Sequence, residues 1–422
     1  MASKEIFVYA NWGRITVPAL MGILRAEHIR GNEIFSFEYN KEWLKFNESL
    51  VLDPDLNWYS GPQFLPNDKI NFGLFLDSSP DRWGRILMRR REAVMAKMES
   101  RTQKNLYPSD YLLGVFDEHR MGALRLKEHP DGSFLSDNSN MAAPPWTSIR
   151  ELEYASLKLE DDDSVDNPEY FKWLNLLIAP GSSLGGARPK ASIVDQNKHL
   201  WIAKFPSISD SVDVGGWEMV VNELAVKAGI NTSEAIVQKF SSNNYTFLTK
   251  RFDRIDGNQR IHFASAMTLL GQKDGENYQQ GISYLDIVGF ILKHGDKNFV
   301  NLDLEELWKR IVFSICVKNT DDHLRNHGFI LGEHGWRLSP AYDINPVPTG
   351  TGLTLNISDN DNSLDVNLAL DVADFFRVEK SKAEEIVKNM HETVNNWRSV
   401  ATKYGLSRNE QELMAAAFNT SA

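Results

Sequence analysis

Asp321 and Asn326 stand five positions apart in Lys318-Asn319-Thr320-Asp321-Asp322-His323-Leu324-Arg325-Asn326. That offset lets one loop hold a carboxylate base at an acceptor hydroxyl and an amide oxygen at a metal. The chemistry it suits is phosphoryl transfer, which asks four things of a protein: backbone N–H groups around the phosphates, a lysine on them, oxygen ligands for Mg2+, and a carboxylate to receive the hydroxyl proton. A polar turn closing the helix that ends near Val317 would use the same residues, so this motif alone leaves both readings open. Farther along, Leu338-Ser339-Pro340-Ala341-Tyr342-Asp343-Ile344 follows a predicted hairpin over Phe329–Leu338. Asp343 thus falls where a kinase carries its metal-binding aspartate.

The remaining requirements have candidates earlier in the chain. Gly181-Ser182-Ser183-Leu184-Gly185-Gly186-Ala187-Arg188-Pro189-Lys190 leads into a strand, and paired glycines let a backbone aim its N–H groups at an anion without Cβ obstruction. No Gly-Lys-Ser/Thr ends the run, so it is not a Walker A loop. A flexible surface turn is the other reading of the same residues. Lys204 closes the apolar strand Leu200-Trp201-Ile202-Ala203-Lys204, where it either points at phosphate or snorkels from a sheet edge. Glu218, with Glu223 as its rival, is the candidate carboxylate partner for that lysine.

These residues need elements to carry them. Ile6–Tyr9, Ile15–Val17 and Ile34–Tyr39 read as strands separated by Gly13 and Gly31-Asn32 turns. Pro80 to about Lys104 reads as a helix, and 127–168 as a loop-rich connection around a short helix near Ile149–Leu157. A second strand-rich block at 191–250 contains one helix, Gly216–Gly229. Helices then dominate, at Ile282–His294, Leu304–Val317, Lys380–Tyr404 and Asn409–Phe418. Strands first and helices later suit segregated lobes, not an alternating parallel sheet.

Bulk properties set limits. A chain of 422 residues with 42% hydrophobic and 24% charged content is large enough for two domains and is not disordered. Its single cysteine, Cys316, cannot form an internal disulfide, and its apolar surroundings predict a buried, inert thiol. The first ten residues lack a signal-peptide pattern, and no apolar run is long enough to span a bilayer, so a cytoplasmic protein without membrane contact is expected. A net charge of −11 disfavours general nucleic-acid binding. One stretch runs against it: Arg82, Arg85, Arg89, Arg90, Arg91, Lys97, Arg101 and Lys104 form either a site for an acidic partner or a solvated helix face.

Taken together, Ser183–Lys190, Phe247-Leu248-Thr249-Lys250-Arg251-Phe252-Asp253-Arg254, Asn319–Asn326 and Pro340–Asp343 resemble the signatures of HipA-type toxin kinases, and Phe75–Arg85 resembles that family's N-terminal region. The resemblance implies an α+β, two-lobed protein-kinase-like fold: an accessory N-terminal subdomain over 1–126, a β-rich kinase N-lobe over 127–255 and an all-α C-lobe over 256–422. It implies an ATP-dependent, Mg2+-dependent protein serine/threonine kinase. By position, Gly185, Gly186, Ala187, Arg188, Pro189 and Lys190 would wrap the ATP phosphates, with Lys204 upon them. Lys250, Arg251 and Phe252 would form the adenine hinge. Asp321 would be the catalytic base, Asn326 and Asp343 the Mg2+ ligands, and His323 and Tyr342 further nucleotide-site residues. Ser183 would be an autophosphorylation site that ejects the loop. The implied partners are a HipB-type helix-turn-helix antitoxin, DNA through that antitoxin, and a protein substrate linked to translation. Arg188-Pro189 replaces the Gln-Glu of the best-studied type, and the proline removes one N–H donor from the cradle. A small-molecule kinase and an inactive module that binds an antitoxin are the alternatives.

Overall fold

Alternation of buried and outward residues begins at once: Ile6, Val8 and Ala10 are buried in strand β1 (Ser3–Ala10), as period-two patterning requires. Strand β2 (Ala19–Ile29) pairs antiparallel with it, Ile6 opposite Leu24, and β3 (Asn32–Tyr39) pairs with β2, Leu24 opposite Phe37. The β2–β3 connection is the two-residue turn Arg30-Gly31, both at positive φ (52° and 88°), whose twist matches that of the strands. Strands β4 (Gln63–Phe64) and β5 (Leu124–Lys127) complete a sheet of order β4-β3-β2-β1-β5. The computed structural model describes residues 3–13, 15–45, 50–66, 68–135, 144–161, 167–181, 186, 188–255 and 259–418, with backbone only at 178–181. They fall into two units, Met1–Ser209 with Lys239–Ala264, and Asp210–Gln238 with Ser265–Ala422.

The first unit holds the five-stranded sheet together with helices α1 (Gly73–Leu76), α2 (Arg82–Met98), α3 (Pro108–Leu113), α4 (Ile149–Glu160) and α5 (Tyr170–Gly181). It also holds antiparallel strands β6 (Lys190–Val194), β7 (Leu200–Lys204) and β9 (Thr246–Lys250). Asp81 caps α2 by accepting from Gly84 N at 3.2 Å. Trp83 and Leu87 of α2 enter one core with Ile149, Leu152, Trp173, Leu174, Ile193 and Leu248. That burial settles one face of the basic helix. Of its cations, Arg85 donates to Pro80 O and lies over the Tyr111 ring, and Arg90 donates to Leu159 O. Arg101, just past the helix, pairs with Glu92 and Glu99. The guanidinium of Arg101 holds the Glu92 carboxyl down to about 2. Arg82, Arg89, Arg91, Lys97 and Lys104 remain exposed.

The second unit is mostly helical. Helix α6 (Val214–Lys227) is capped by Asp213, buries Trp217, Val220, Val221 and Leu224, and is followed by Gly229 at φ 76°, the left-handed residue that ends many helices. β8 (Ala235–Gln238), α7 (Ala266–Leu269), α8 (Tyr284–His294) and α9 (Val300–Cys316) follow. Ser283 and Asp286 make a capping box at the start of α8. The predicted hairpin is present as two short antiparallel strands, β13 (Gly328–Leu331) and β14 (Trp336–Leu338), numbered after the two-residue strands β10 (Arg254–Ile255) and β11 (Gln259–Arg260) and the short β12 (Phe263–Ser265). The long helix expected over Lys380–Tyr404 is instead two, α11 (Lys380–Val394) and α12 (Trp397–Lys403), after α10 (Val366–Asp371) and before α13 (Arg408–Met414). The break falls at Asn395-Asn396, where Asn396 Nδ2 donates back to Glu392 O, the competition with helical bonding for which asparagine is known. Trp397 then stacks on Phe418 at 4.4 Å, and both pack near Trp217.

Among the described residues no helix is long and apolar enough to cross a membrane. Cys316, at the end of α9, is fully buried, and burial pushes its thiol up to about 12. Iodoacetamide should therefore leave the native protein unmodified and alkylate it only in denaturant, which intact-mass spectrometry reads directly.

Candidate active site

Helix α9 stops at Cys316, and Lys318 turns the chain with φ 46°. The next residues are tied down one by one. Asn319 N donates to Ser314 O at 2.9 Å, and Asn319 Nδ2 lies 3.3 Å from Ser314 Oγ. Thr320 O accepts from Thr354 Oγ1 at 2.7 Å. Asn326 Nδ2 donates to Asp321 O at 2.9 Å, so the five-residue offset read from the sequence is a loop closed on itself by its own last side chain. This bond also turns the amide of Asn326 so that Oδ1 stays available for another ligand.

Asp321 is exposed at the turn of this loop. Partial burial lifts its carboxyl above the ordinary value; His323 opposes the rise, and the carboxylates of Asp343 and Asp322 add to it. Asp343 arrives by way of the β13–β14 hairpin, after which Ser339 N bonds Gly328 O at 2.9 Å. Tyr342 Oη then donates to Arg325 O at 2.6 Å, which joins the residues preceding Asn326 and Asp343. Asp343 takes the left-handed conformation at φ 57°, tolerated by Asp better than by most residues. Asn345 Nδ2 lies 3.3 Å from Asp343 Oδ1, and Asn345 N donates to Asn319 Oδ1 at 3.1 Å. His323 Nδ1 is buried with no partner among the described residues. Within this unit the structure thus gathers Asp321, His323, Asn326, Tyr342 and Asp343 around one bonded loop.

Among the described residues no group of three His, Cys, Asp or Glu side chains forms a metal cage. A site of one carboxylate and one amide oxygen is what Mg2+ takes when a nucleotide supplies further oxygens, so Asp343 and Asn326 fit that ion and not zinc.

The other predicted residues lie in the first unit. Ser183, Gly185 and Ala187 lie outside the described residues. Gly186 has φ 93°, and a Cβ built there would come 2.7 Å from Lys190 Nζ, so the ammonium sits close beneath that glycine. Arg188 donates to Phe205 O at 3.3 Å, and Pro189, which lacks an N–H, uses its carbonyl to accept from Phe205 N at 2.9 Å. Lys190 and Lys204 are directly opposite each other across β6–β7. Like charges so placed repel, and an anion between them relieves the repulsion. Asp81 Oδ2 lies 3.7 Å from Lys190 Nζ. Lys204 Nζ lies 5.6 Å from the Phe247 ring centre.

The segment read as a hinge has one side chain turned inward. Arg251 is buried and makes a two-pronged contact with Asp253 (2.9 and 2.7 Å) while donating to His119 O at 2.8 Å. Its guanidinium is therefore committed to the protein interior. Lys250 and Phe252 are half-buried, the latter against Phe263. Of the two glutamates on α6, Glu223 is engaged by Lys227, Lys403 and Tyr404, whereas Glu218 is buried.

Sequence reasoning passed over Asp322, Asn319 and Asn345. Asp322 is buried, with Oδ2 2.6 Å from Tyr284 Oη and Oδ1 3.2 Å from His327 Nε2. Burial alone would raise its carboxyl, but His327 and the Tyr284 hydroxyl bring it below the ordinary value. The doublet Asp321-Asp322 was the only signal, since Tyr284 is remote in sequence.

Comparison with known proteins gives three findings. The sequence model described as the HipA-like C-terminal domain matches residues 182–397. A putative kinase of Haemophilus influenzae is 26% identical over 189 residues, covering 40% of this chain and 54% of that protein, so the chain spans about half the length of that relative. The fold is similar to that of HipA from Shewanella oneidensis MR-1, solved as a toxin–antitoxin complex with HipB and operator DNA. The TM-score is 0.61 at 15% identity, over 98% of this chain and 95% of the other.

Proposed function

The chain belongs to the HipA-like C-terminal domain family, and from that premise we propose that it is an ATP-dependent protein serine/threonine kinase of the HipA toxin type. The observation that carries the reading is the bonded loop that holds Asp321, Asn326 and Asp343 together. Asp321 accepts the proton of the acceptor hydroxyl, a role for a carboxylate that is exposed and shifted upward. Asp343 and the Oδ1 of Asn326 would hold Mg2+, which would screen the charge of the phosphoryl group donated by ATP. Lys190 and Lys204 bind phosphate oxygens, with the backbone of Gly186 close to Lys190 Nζ. Gly185 and Ala187 complete that cradle, Ser183 is its autophosphorylation site, and Lys250–Phe252 meet the adenine. Arg251 does so through its backbone, because its side chain is committed elsewhere. His323 and Tyr342 line the nucleotide site.

The natural partner is a helix-turn-helix antitoxin of the HipB type, with DNA met through it, and the protein works in the cytoplasm. Support for the antitoxin and DNA comes from the Shewanella protein, which was solved with HipB and operator DNA. Purified protein incubated with γ-labelled ATP and Mg2+ tests the kinase reading. Label on the chain or on an added protein is expected, with Ser183 among the labelled positions. Label on small molecules alone would assign a small-molecule kinase, and no ATP consumption beside retained antitoxin binding would leave a binding module.

The exposed cations of α2 are the proposed docking surface for an acidic partner. Arg89→Glu with Arg91→Glu should weaken antitoxin binding at low salt and leave label incorporation unchanged. Arg90 is left alone because it holds Leu159 O. Undiminished binding in a pull-down would return the patch to a solvated face.

A further inference from the structure

We propose that Asp322 is a positioning residue: it fixes the backbone on which Asp321 is carried without itself touching the reacting groups. The inference rests on the kinase reading only for the step it affects. Its starting point is a contrast between neighbours. Asp321 is exposed, while Asp322 is 5% exposed. Among the described residues no side chain or backbone N–H bonds the Asp321 carboxylate, so its place is set by the backbone alone. Four things hold that backbone. Asn326 Nδ2 and His323 N both donate to Asp321 O (2.9 and 3.0 Å), Thr354 Oγ1 donates to Thr320 O, and the side chain of Asp322 is gripped from below.

The grip on Asp322 comes from three separate elements. Tyr284, the first residue of α8, donates its hydroxyl to Oδ2 at 2.6 Å. His327, immediately before β13, brings Nε2 to 3.2 Å from Oδ1. Ser314, in the last turn of α9, has Oγ 3.4 Å from Oδ2. All three are nearly solvent-free, and the Tyr284 ring meets the His327 ring edge-on at 5.5 Å and 89°. A buried carboxylate is a poor device for stability, because a well-packed apolar residue generally does as well. What it offers is direction. Two hydroxyl donors at Oδ2 and the close approach of His327 Nε2 to Oδ1, drawn from different elements, hold the Asp321–Asp322 peptide against rotation, and rotation there would swing the Asp321 carboxylate away from the acceptor hydroxyl. Misplacement of a reacting group by about 1 Å can cost about 100-fold in rate.

Tyr284→Phe removes one donor at nearly constant volume, and Asp322→Asn removes the charge at constant shape. The assay is the rate of phosphoryl transfer at saturating Mg·ATP, per nucleotide-binding site counted by titration, with amide exchange of residues 320–326 measured in parallel. We expect the per-site rate to fall about tenfold in Tyr284→Phe and up to about 100-fold in Asp322→Asn. The ATP concentration for half-maximal rate should change little, and exchange should quicken locally. A merely structural role would lower the number of competent sites and leave the rate at each unchanged, and that result overturns the proposal. If Asp322→Asn does not fold, Tyr284→Phe decides by the same criterion. If the wild type transfers no phosphoryl group, the kinase reading fails. The anchor is then judged by exchange alone: local quickening in Tyr284→Phe upholds it, and unchanged exchange overturns it.

Discussion

Asp321→Asn should lower phosphoryl transfer by about 10²- to 10⁴-fold, the range expected for loss of a general base, with the fold and Mg·ATP binding retained. The retention follows from the geometry. The loop bonds at this residue run through its carbonyl oxygen, which accepts from Asn326 Nδ2 and His323 N, and the asparagine keeps that carbonyl. The carboxylate itself has no donor partner among the described residues, so the amide leaves no orphaned group behind. What is lost is proton affinity. Partial burial raises the Asp321 carboxyl, and His323 only partly offsets that with the carboxylates of Asp343 and Asp322 nearby. The native group therefore takes a proton more readily than an ordinary aspartate, and an amide takes none. Single-turnover transfer from labelled ATP and calorimetric titration with Mg·ATP check the two halves separately. A near-normal rate would remove Asp321 from the role of base.

Asp253→Leu should destabilise the first unit by about 3–5 kcal/mol, the usual result of breaking a buried ion pair from one side. Asp253 is 1% exposed and is the anion between two buried guanidiniums, with Arg251 at 2.7 Å and Arg254 at 2.7 Å. It also accepts from Gly122 N at 2.8 Å. Arg254 and Arg260 are directly opposite each other on the short ribbon β10–β11, and the anions near them are Asp253 and Asp117. Removing Asp253 leaves a concentration of buried positive charge. Urea denaturation measures the loss, and Arg251→Leu added to Asp253→Leu should recover part of it. A cost below about 1 kcal/mol would mean that the guanidiniums find other partners. The pH dependence has a definite sign. Burial would raise the Asp253 carboxyl, but Arg251 and Arg254 hold it well below the ordinary range. Its stabilising contribution is therefore complete above the unfolded value of about 4, and is lost progressively as pH falls from there to the lower folded value.

Much of the architecture and one part of the site were legible in the residues themselves, where the physics is local. Buried Ile6, Val8 and Ala10 follow from a two-residue period, and glycine's freedom at positive φ marks a turn at Gly31, expected over Gly31-Asn32 and found at Arg30-Gly31. The Asp321–Asn326 spacing corresponds to a bond made within six residues, so a pattern of residue types could represent it. The apolar run around Cys316 announced a buried thiol for the same reason. Tertiary structure alone decided which charges are neutralised and which side chains face inward. Arg251 sits in a motif suggestive of a nucleotide contact, yet its guanidinium meets Asp253 and the carbonyl of His119, more than a hundred positions away. Arg90 reaches Leu159 O, Lys190 lies by Asp81, and Asp322 lies by Tyr284. Each of these needs a distant segment to return to a set position before a short-range bond can form, and residue spacing carries no record of that return. The loss of helix at Asn395-Asn396 lies between the two cases. The asparagines permit a break, but the stacking of Trp397 on Phe418 close to Trp217 gives the chain a reason to turn there. Local spacing determines what a segment can be, and the packing of remote segments determines which of its groups are left to act.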